Sequence, residues 1–176
     1  MEHTFESLAK ANTKTLENIM KEGTMPDIRK MTGWEFNGYN LTFMADILGI
    51  RKFRKGFYKE GDMFKGYNVK MKQNKFKYPW EYKNEKPERF GWFDIMSVSV
   101  FALKENRKVL YPNALILHYG LDKRNNLFEG KMLRDFLVQV NENDKDLYLG
   151  KAHNAIGKKL VMPSYFILKR AEEINL

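Results

Sequence analysis

From Gly33 onward the apolar residues of this chain recur every second position instead of every third or fourth. That change of period constrains the fold more than any other feature, because alternate side chains of a strand point to opposite faces. Residues 62–73 give the clearest case: Met63, Tyr67, Val69 and Met71 share one parity, and Asn68, Lys70 and Lys72 the other. The pattern predicts a strand with one dry and one wet face. KEGD at 59–62 is a turn signal, which joins it in a hairpin to a strand near 52–59. Further strands are predicted at 89–104 and 109–120 around the turn ENRK, at 133–140 and 146–156 around NEND, and at 160–170. With the strand that opens at GWEFNG (33–38), the count is about eight. A meander of that length leaves open edges unless it closes on itself. The predicted fold is therefore mainly β, an antiparallel up-and-down barrel, with a two-sheet sandwich as the alternative.

The first 32 residues read differently. Phe5, Leu8, Ala9, Leu16, Ile19 and Met20 follow helical spacing over 4–22, with Thr4 as cap and Gly23 as stop. Thr24, Pro26 and Asp27 start a second short helix that ends by Gly33. LTFMADILGI (41–50) predicts a helix of one or two turns between the first two strands, and KYPWEYKNEKPER (77–89) an irregular flap. One domain over 1–176 is expected, with helices in 1–32 and the barrel in 33–170. The chain has no cysteine, so disulfides, thiol catalysis and thiolate-bound zinc are excluded. No apolar run spans a bilayer, and the N-terminus lacks the basic-then-apolar order of a signal peptide, so a cytoplasmic setting is expected.

The net charge of +9 is concentrated. Arg51 to Lys83 holds eleven basic residues against three acidic ones, a local excess of eight. Such a region suits nucleic acid, an acidic membrane surface or an anionic ligand; equally, lysines guard exposed strands. Tyr67, Phe76, Tyr78, Trp80 and Tyr82 lie among these lysines. They fit either stacking on single-stranded nucleic acid or a flap over a pocket.

A short helix, then Gly33 and Trp34 at the head of the first strand, then an eight-strand meander resembles the calycin group, the lipocalins and fatty-acid-binding proteins. The helical ADILG insertion is similar to the fatty-acid-binding arrangement. Gly33 and Trp34 are adjacent where lipocalins usually show Gly-x-Trp, and PSYFILKR on the last strand lacks the Arg-x-Tyr that typically holds a fatty-acid carboxylate. The resemblance implies a barrel around a small ligand.

Arg134 shares parity with Phe136, Val138 and Val140. If that face is the interior, its guanidinium needs an anion, either a ligand carboxylate or phosphate or Asp94. Leu133, Asp135 and Leu137, on the other parity, are also partly apolar, so alternation leaves the facing open. His118 and Tyr119 are consecutive, so one of them points inward. The leading expectation is a small apolar or amphipathic, anionic ligand. Trp34, Tyr67, Trp92, Tyr119 and Tyr165 would line its site, Arg134 would anchor the charge, and His118 and Asp94 would stand nearby. A barrel enzyme using His118 or Tyr119 with Asp94 as acid–base groups is the alternative. No cofactor is expected. No metal is expected either, since His3, His118 and His153 are scattered. Oligomeric state is left open.

Overall fold

Eight antiparallel strands close into one barrel in sequence order, with β8 pairing back onto β1. The computed structural model describes residues 2–125 and 130–174. The strands are β1 Trp34–Asn40, β2 Lys52–Glu60, β3 Met63–Lys70, β4 Arg89–Ser97, β5 Leu115–His118, β6 Leu133–Asn141, β7 Asp144–Ile156 and β8 Lys159–Glu173. The hairpins at Gly61 and Gly157 turn through a positive φ, which glycine adopts without a Cβ penalty. The predicted helix at 4–22 is two helices, α1 Phe5–Ala9 and α2 Thr13–Glu22. Asn12 restarts the backbone by accepting from Thr15 N at 2.9 Å. A short α3 (Ile28–Met31) leads into β1, and α4 (Met44–Ile47) sits between β1 and β2.

One predicted strand is partly a helix. Of residues 89–104, only Arg89–Ser97 is strand; Val98–Glu105 forms α5. Ser97 caps it, accepting from Val100 N, and Asn106 ends it in the left-handed conformation. Val98 and Phe101, three apart, are its buried face. The β-branched run SVSV is overridden by that packing and by the cap. The strand expected over 109–120 shrinks to Leu115–His118 and continues into a 3-10 turn, Tyr119–Leu121.

Both sides of the barrel wall are buried. One cluster fills the lower interior with Phe36, Phe57, Phe93, Leu117, Leu137, Tyr148 and Leu168. A second lies outside the wall, where Phe5, Leu16, Ile19, Met20 and Phe101 cover Ile116, Phe136, Val138, Leu149 and Ile167. A third, around Tyr67, Val69 and Met71, lies outside β3 under Trp80 and Tyr82 of the flap. Trp80 fastens the flap by donating Nε1–H to Gly38 O at 3.0 Å. The expected dry face of β3 is thus the outer one, and its polar parity, Asn68 and Lys70, faces inward. Inside, glycines make room for rings: a Cβ on Gly38 would meet Phe53, one on Gly66 Phe93, and one on Gly150 Phe166, each within 2.3 Å.

Candidate functional site

A polar strut crosses the barrel above the packed lower interior. Lys55, in mid-β2, reaches across to Asp135 on β6, the two strands lying on opposite sides of the ring. Lys55 Nζ donates to Asn68 Oδ1 at 2.8 Å and to Tyr119 OH at 2.5 Å, and lies 3.3 Å from Asp135 Oδ2. Tyr119 OH donates to the same Asp135 oxygen at 3.0 Å. Asn68 is the cross-strand neighbour of Lys55 and donates to Gly91 O at 3.0 Å. Tyr119 is placed by the 3-10 turn after β5. Asn125 pins that turn, donating to Tyr119 O at 2.8 Å and to Trp92 O. Asp135 Oδ1 is buried and accepts no hydrogen bond among the described residues.

The surroundings of the ammonium are aromatic. Its nitrogen lies 5.0 Å from the centroid of Phe93, 5.2 Å from Tyr119 and 5.3 Å from both Phe53 and Phe166. Burial pushes Lys55 below a lysine's ordinary pKa, against the pull of Asp135. Burial, reinforced by the Asp135 charge, holds the Tyr119 hydroxyl well above the usual phenol range.

Above the strut the barrel is hollow. A cavity of about 680 Å³ is walled by Phe53, Phe90, Leu133, Ala152 and Phe166, with Lys55, Asn68, Tyr119 and Asp135 as its floor. Its rim is formed by Leu48, Gly49 and Ile50 on one side and by Lys72, Gln73 and Lys83 on the other. The rim segment also exposes Phe43 and Ile47. Lys70 and Lys72 pair with Glu88 and Glu81 at the surface.

Of the residues expected to line a site, Tyr119 is the one that borders this cavity. Trp34 packs against the interior cluster at the start of β1, with the Arg170 guanidinium 4.6 Å from its ring. Arg134 faces outward: its guanidinium donates to Glu105 Oε1 of α5 at 2.7 and 2.9 Å. Asp94, His118, Arg134 and His153 form one row along the outer side of β4 to β7. Asp94 lies 3.5 Å from Lys65, so the expected Arg134–Asp94 pair is replaced by two others. His118 Nε2 is 2.7 Å from Glu105 Oε1. Burial opposes the charge on Glu105, yet hydrogen bonds from Arg134, Arg107 and His118 hold its carboxyl at about 2. Tyr119 lies inside the wall, whereas Asp94 and His118 are cross-strand neighbours outside it, paired with Lys65 and Glu105 respectively, so Tyr119 stands apart from the other two. Tyr67 donates outside the wall to Glu35 Oε1 at 2.9 Å. Trp92 lies beside it under the Arg124 guanidinium, 3.8 Å from the ring. Tyr165 donates to Glu17 of α2 at 2.6 Å.

Lys55 and Asp135 were the residues the sequence reading missed. Glycines opposite large rings do not supply the missing signal: Gly38, Gly66 and Gly150 make room for rings inside the barrel, but Gly56 makes the same room for Tyr67 outside it.

No family model matches the chain, and no curated protein matches it. Among the described residues no helix is long and apolar enough to cross a membrane, and no group of His, Asp and Glu side chains is arranged to hold a metal ion.

Proposed function

We propose that this barrel binds a small apolar or amphipathic molecule in its upper interior, as the resemblance to the calycin group implies. One observation carries the reading: the closed barrel holds a packed cluster in its lower interior and a cavity above it, with apolar walls over a buried polar floor. A concave, mostly apolar site with a few fixed polar groups is the usual form of a small-molecule pocket. A ligand of this kind would insert its apolar body between Phe53, Phe90, Leu133 and Phe166. An anionic end would lie toward Lys83 at the rim, since Lys72 pairs with Glu81 and Arg134 with Glu105 outside the wall. A cytoplasmic setting belongs to the same proposal. The basic segment supports a polyanion surface less well, because Arg51, Arg54, Lys65, Lys70 and Lys72 all pair with acids of this chain and Lys55 is buried.

The test is native mass spectrometry of protein purified from cells, followed by titration with anilinonaphthalene sulfonate. Ala152→Phe, which fills the cavity from its wall, is expected to abolish both the co-purified mass and the probe signal while the protein stays folded. No bound mass, together with equal probe binding by wild type and Ala152→Phe, overturns the reading.

A further inference from the structure

The floor of the cavity holds an amine in an unusual setting. Lys55 lines the cavity, yet its side chain is almost wholly removed from solvent, at 3% exposure. The other cavity lysines differ. Lys52 turns its Nζ away to Asn74 Oδ1, Lys75 O and Tyr78 O. Lys70 and Lys72 pair with surface carboxylates, and Lys83 is exposed at the rim. Lys55 is therefore the one amine among the described cavity residues that an apolar ligand would meet at its inner end.

We propose that Lys55 condenses with the carbonyl group of an apolar aldehyde or ketone in the cavity, holding it as an imine. The inference rests on the reading of the cavity as a site for apolar ligands, and it names their reactive group. A lysine nucleophile is activated by desolvation in an apolar pocket and by a neighbouring base. Both are present: four aromatic rings surround Nζ, and Asp135 lies 3.3 Å away. Burial favours the uncharged amine.

The step balances without an oxidant or reductant. The ammonium gives one proton to Asp135, directly or through Tyr119, whose hydroxyl contacts both groups. The free amine attacks the carbonyl carbon, a C–N bond forms, and the carbonyl oxygen takes up the second amine proton to give a carbinolamine. Asp135 returns its proton to that hydroxyl, the C–O bond breaks and water leaves. The product is a protonated imine opposite an ionised Asp135. The same site suits that product. The rings attract a cation that carries an apolar substituent. The ammonium donates to Asn68, Tyr119 and Asp135, and the single N–H of the imine would keep the contact with Asp135.

The test uses the full chain with 6-methoxy-2-naphthaldehyde as probe, trapping by cyanoborohydride at mildly acidic pH, and peptide mapping of the adduct. Exposed lysines are the internal comparison. At substoichiometric aldehyde, Lys55 is expected to carry the label ahead of every exposed lysine, and excess 2-methoxynaphthalene, which has no carbonyl, is expected to suppress it. Label confined to exposed lysines overturns the imine. In that case the fluorescence of bound 2-methoxynaphthalene separates the two readings: if it binds, the cavity reading stands and only the covalent step falls; if it does not, both fall. In Lys55→Met the Lys55-peptide adduct must disappear with the exposed-lysine labelling unchanged. Should that variant not fold, Asp135→Asn replaces it, with slower labelling at Lys55 expected and an unchanged rate counting against the proton route.

Discussion

Arg134 and Asp135, adjacent on β6, leave the barrel wall on opposite sides. Arg134 lies 2.7 Å from Glu105 outside it, and Asp135 lies 3.3 Å from Lys55 inside it. One step along a strand thus separates a structural ion pair from the floor of a cavity. Arg134→Met removes the outer pair and leaves Glu105 with Arg107 and His118 as partners. Because those partners remain, the loss of stability should be about 1–3 kcal/mol, below the full cost of stranding a buried charge. Affinity for an apolar cavity probe should not change. Thermal melting and a probe titration check the two halves; a large loss of affinity would place Arg134 back in the ligand site.

Lys55→Met should behave differently. It keeps most of the side-chain volume but leaves Asp135 buried with the Tyr119 hydroxyl as its sole donor among the described residues. Breaking a buried pair from one side costs about 3–5 kcal/mol. Lys55→Met/Asp135→Asn should recover much of that, since a neutral amide is far cheaper to bury than a lone carboxylate. Urea denaturation of the single and double variants gives the coupling directly. Equal stability of the single variant and wild type would mean that the strut contributes nothing to the fold.

Gly150 tests the packing that closes the lower part of the site. A Cβ there would lie 2.0 Å from Phe166 Cζ, and Phe166 is itself held edge-on by Phe53, with ring centroids 5.9 Å apart. Gly150→Ala should cost about 1–3 kcal/mol by overpacking. Gly150→Ala/Phe166→Leu should regain part of it, because the smaller side chain clears the new methyl. A neutral Gly150→Ala in thermal melts would show that the ring moves freely and that the cavity wall is softer than its packing implies.

Much of the barrel was legible because alternation and turn residues agree in the hairpins β2–β3, β6–β7 and β7–β8, and the strand starting at Trp34 follows a clear stop at Gly33. Val98–Glu105 was not, because a β-branched run favours a strand until the Ser97 cap and the burial of Phe101 are known. The facing of the strands was the harder failure. Alternation identifies an inside when one face is wet, but here α1, α2, α5 and the flap cover the outside, so Phe136 and Val138 are buried there as deeply as Leu137 is within. For that reason alternation cannot decide whether Arg134, with Phe136 and Val138, or Asp135, with Leu133 and Leu137, faces the interior. Lys55 belongs to a lysine-rich segment that fits a solvated strand face equally well, although it reaches the interior with Asn68 and Asp135.

The outer row supplies the pH dependence. Burial, with Arg134 adding to it, lowers the pKa of His118 below its ordinary 6.5, and burial with Lys151 does the same for His153. As pH falls through 6.5 the unfolded chain takes up protons that the folded one refuses, so the unfolded state gains. The stability these residues contribute is therefore complete above that pH and is lost progressively below it. Glu105 adds a second loss at lower pH. Its carboxyl is held at about 2 against an ordinary 4.5, so its contribution is present above 4.5 and disappears as pH falls toward 2. Denaturation midpoints measured from neutral to acid pH should decline in these two windows. His118→Gln should flatten the upper one, since glutamine has no proton to gain, and leave most of the lower one in place. An upper decline that is unchanged in both His118→Gln and His153→Gln would assign it to other groups.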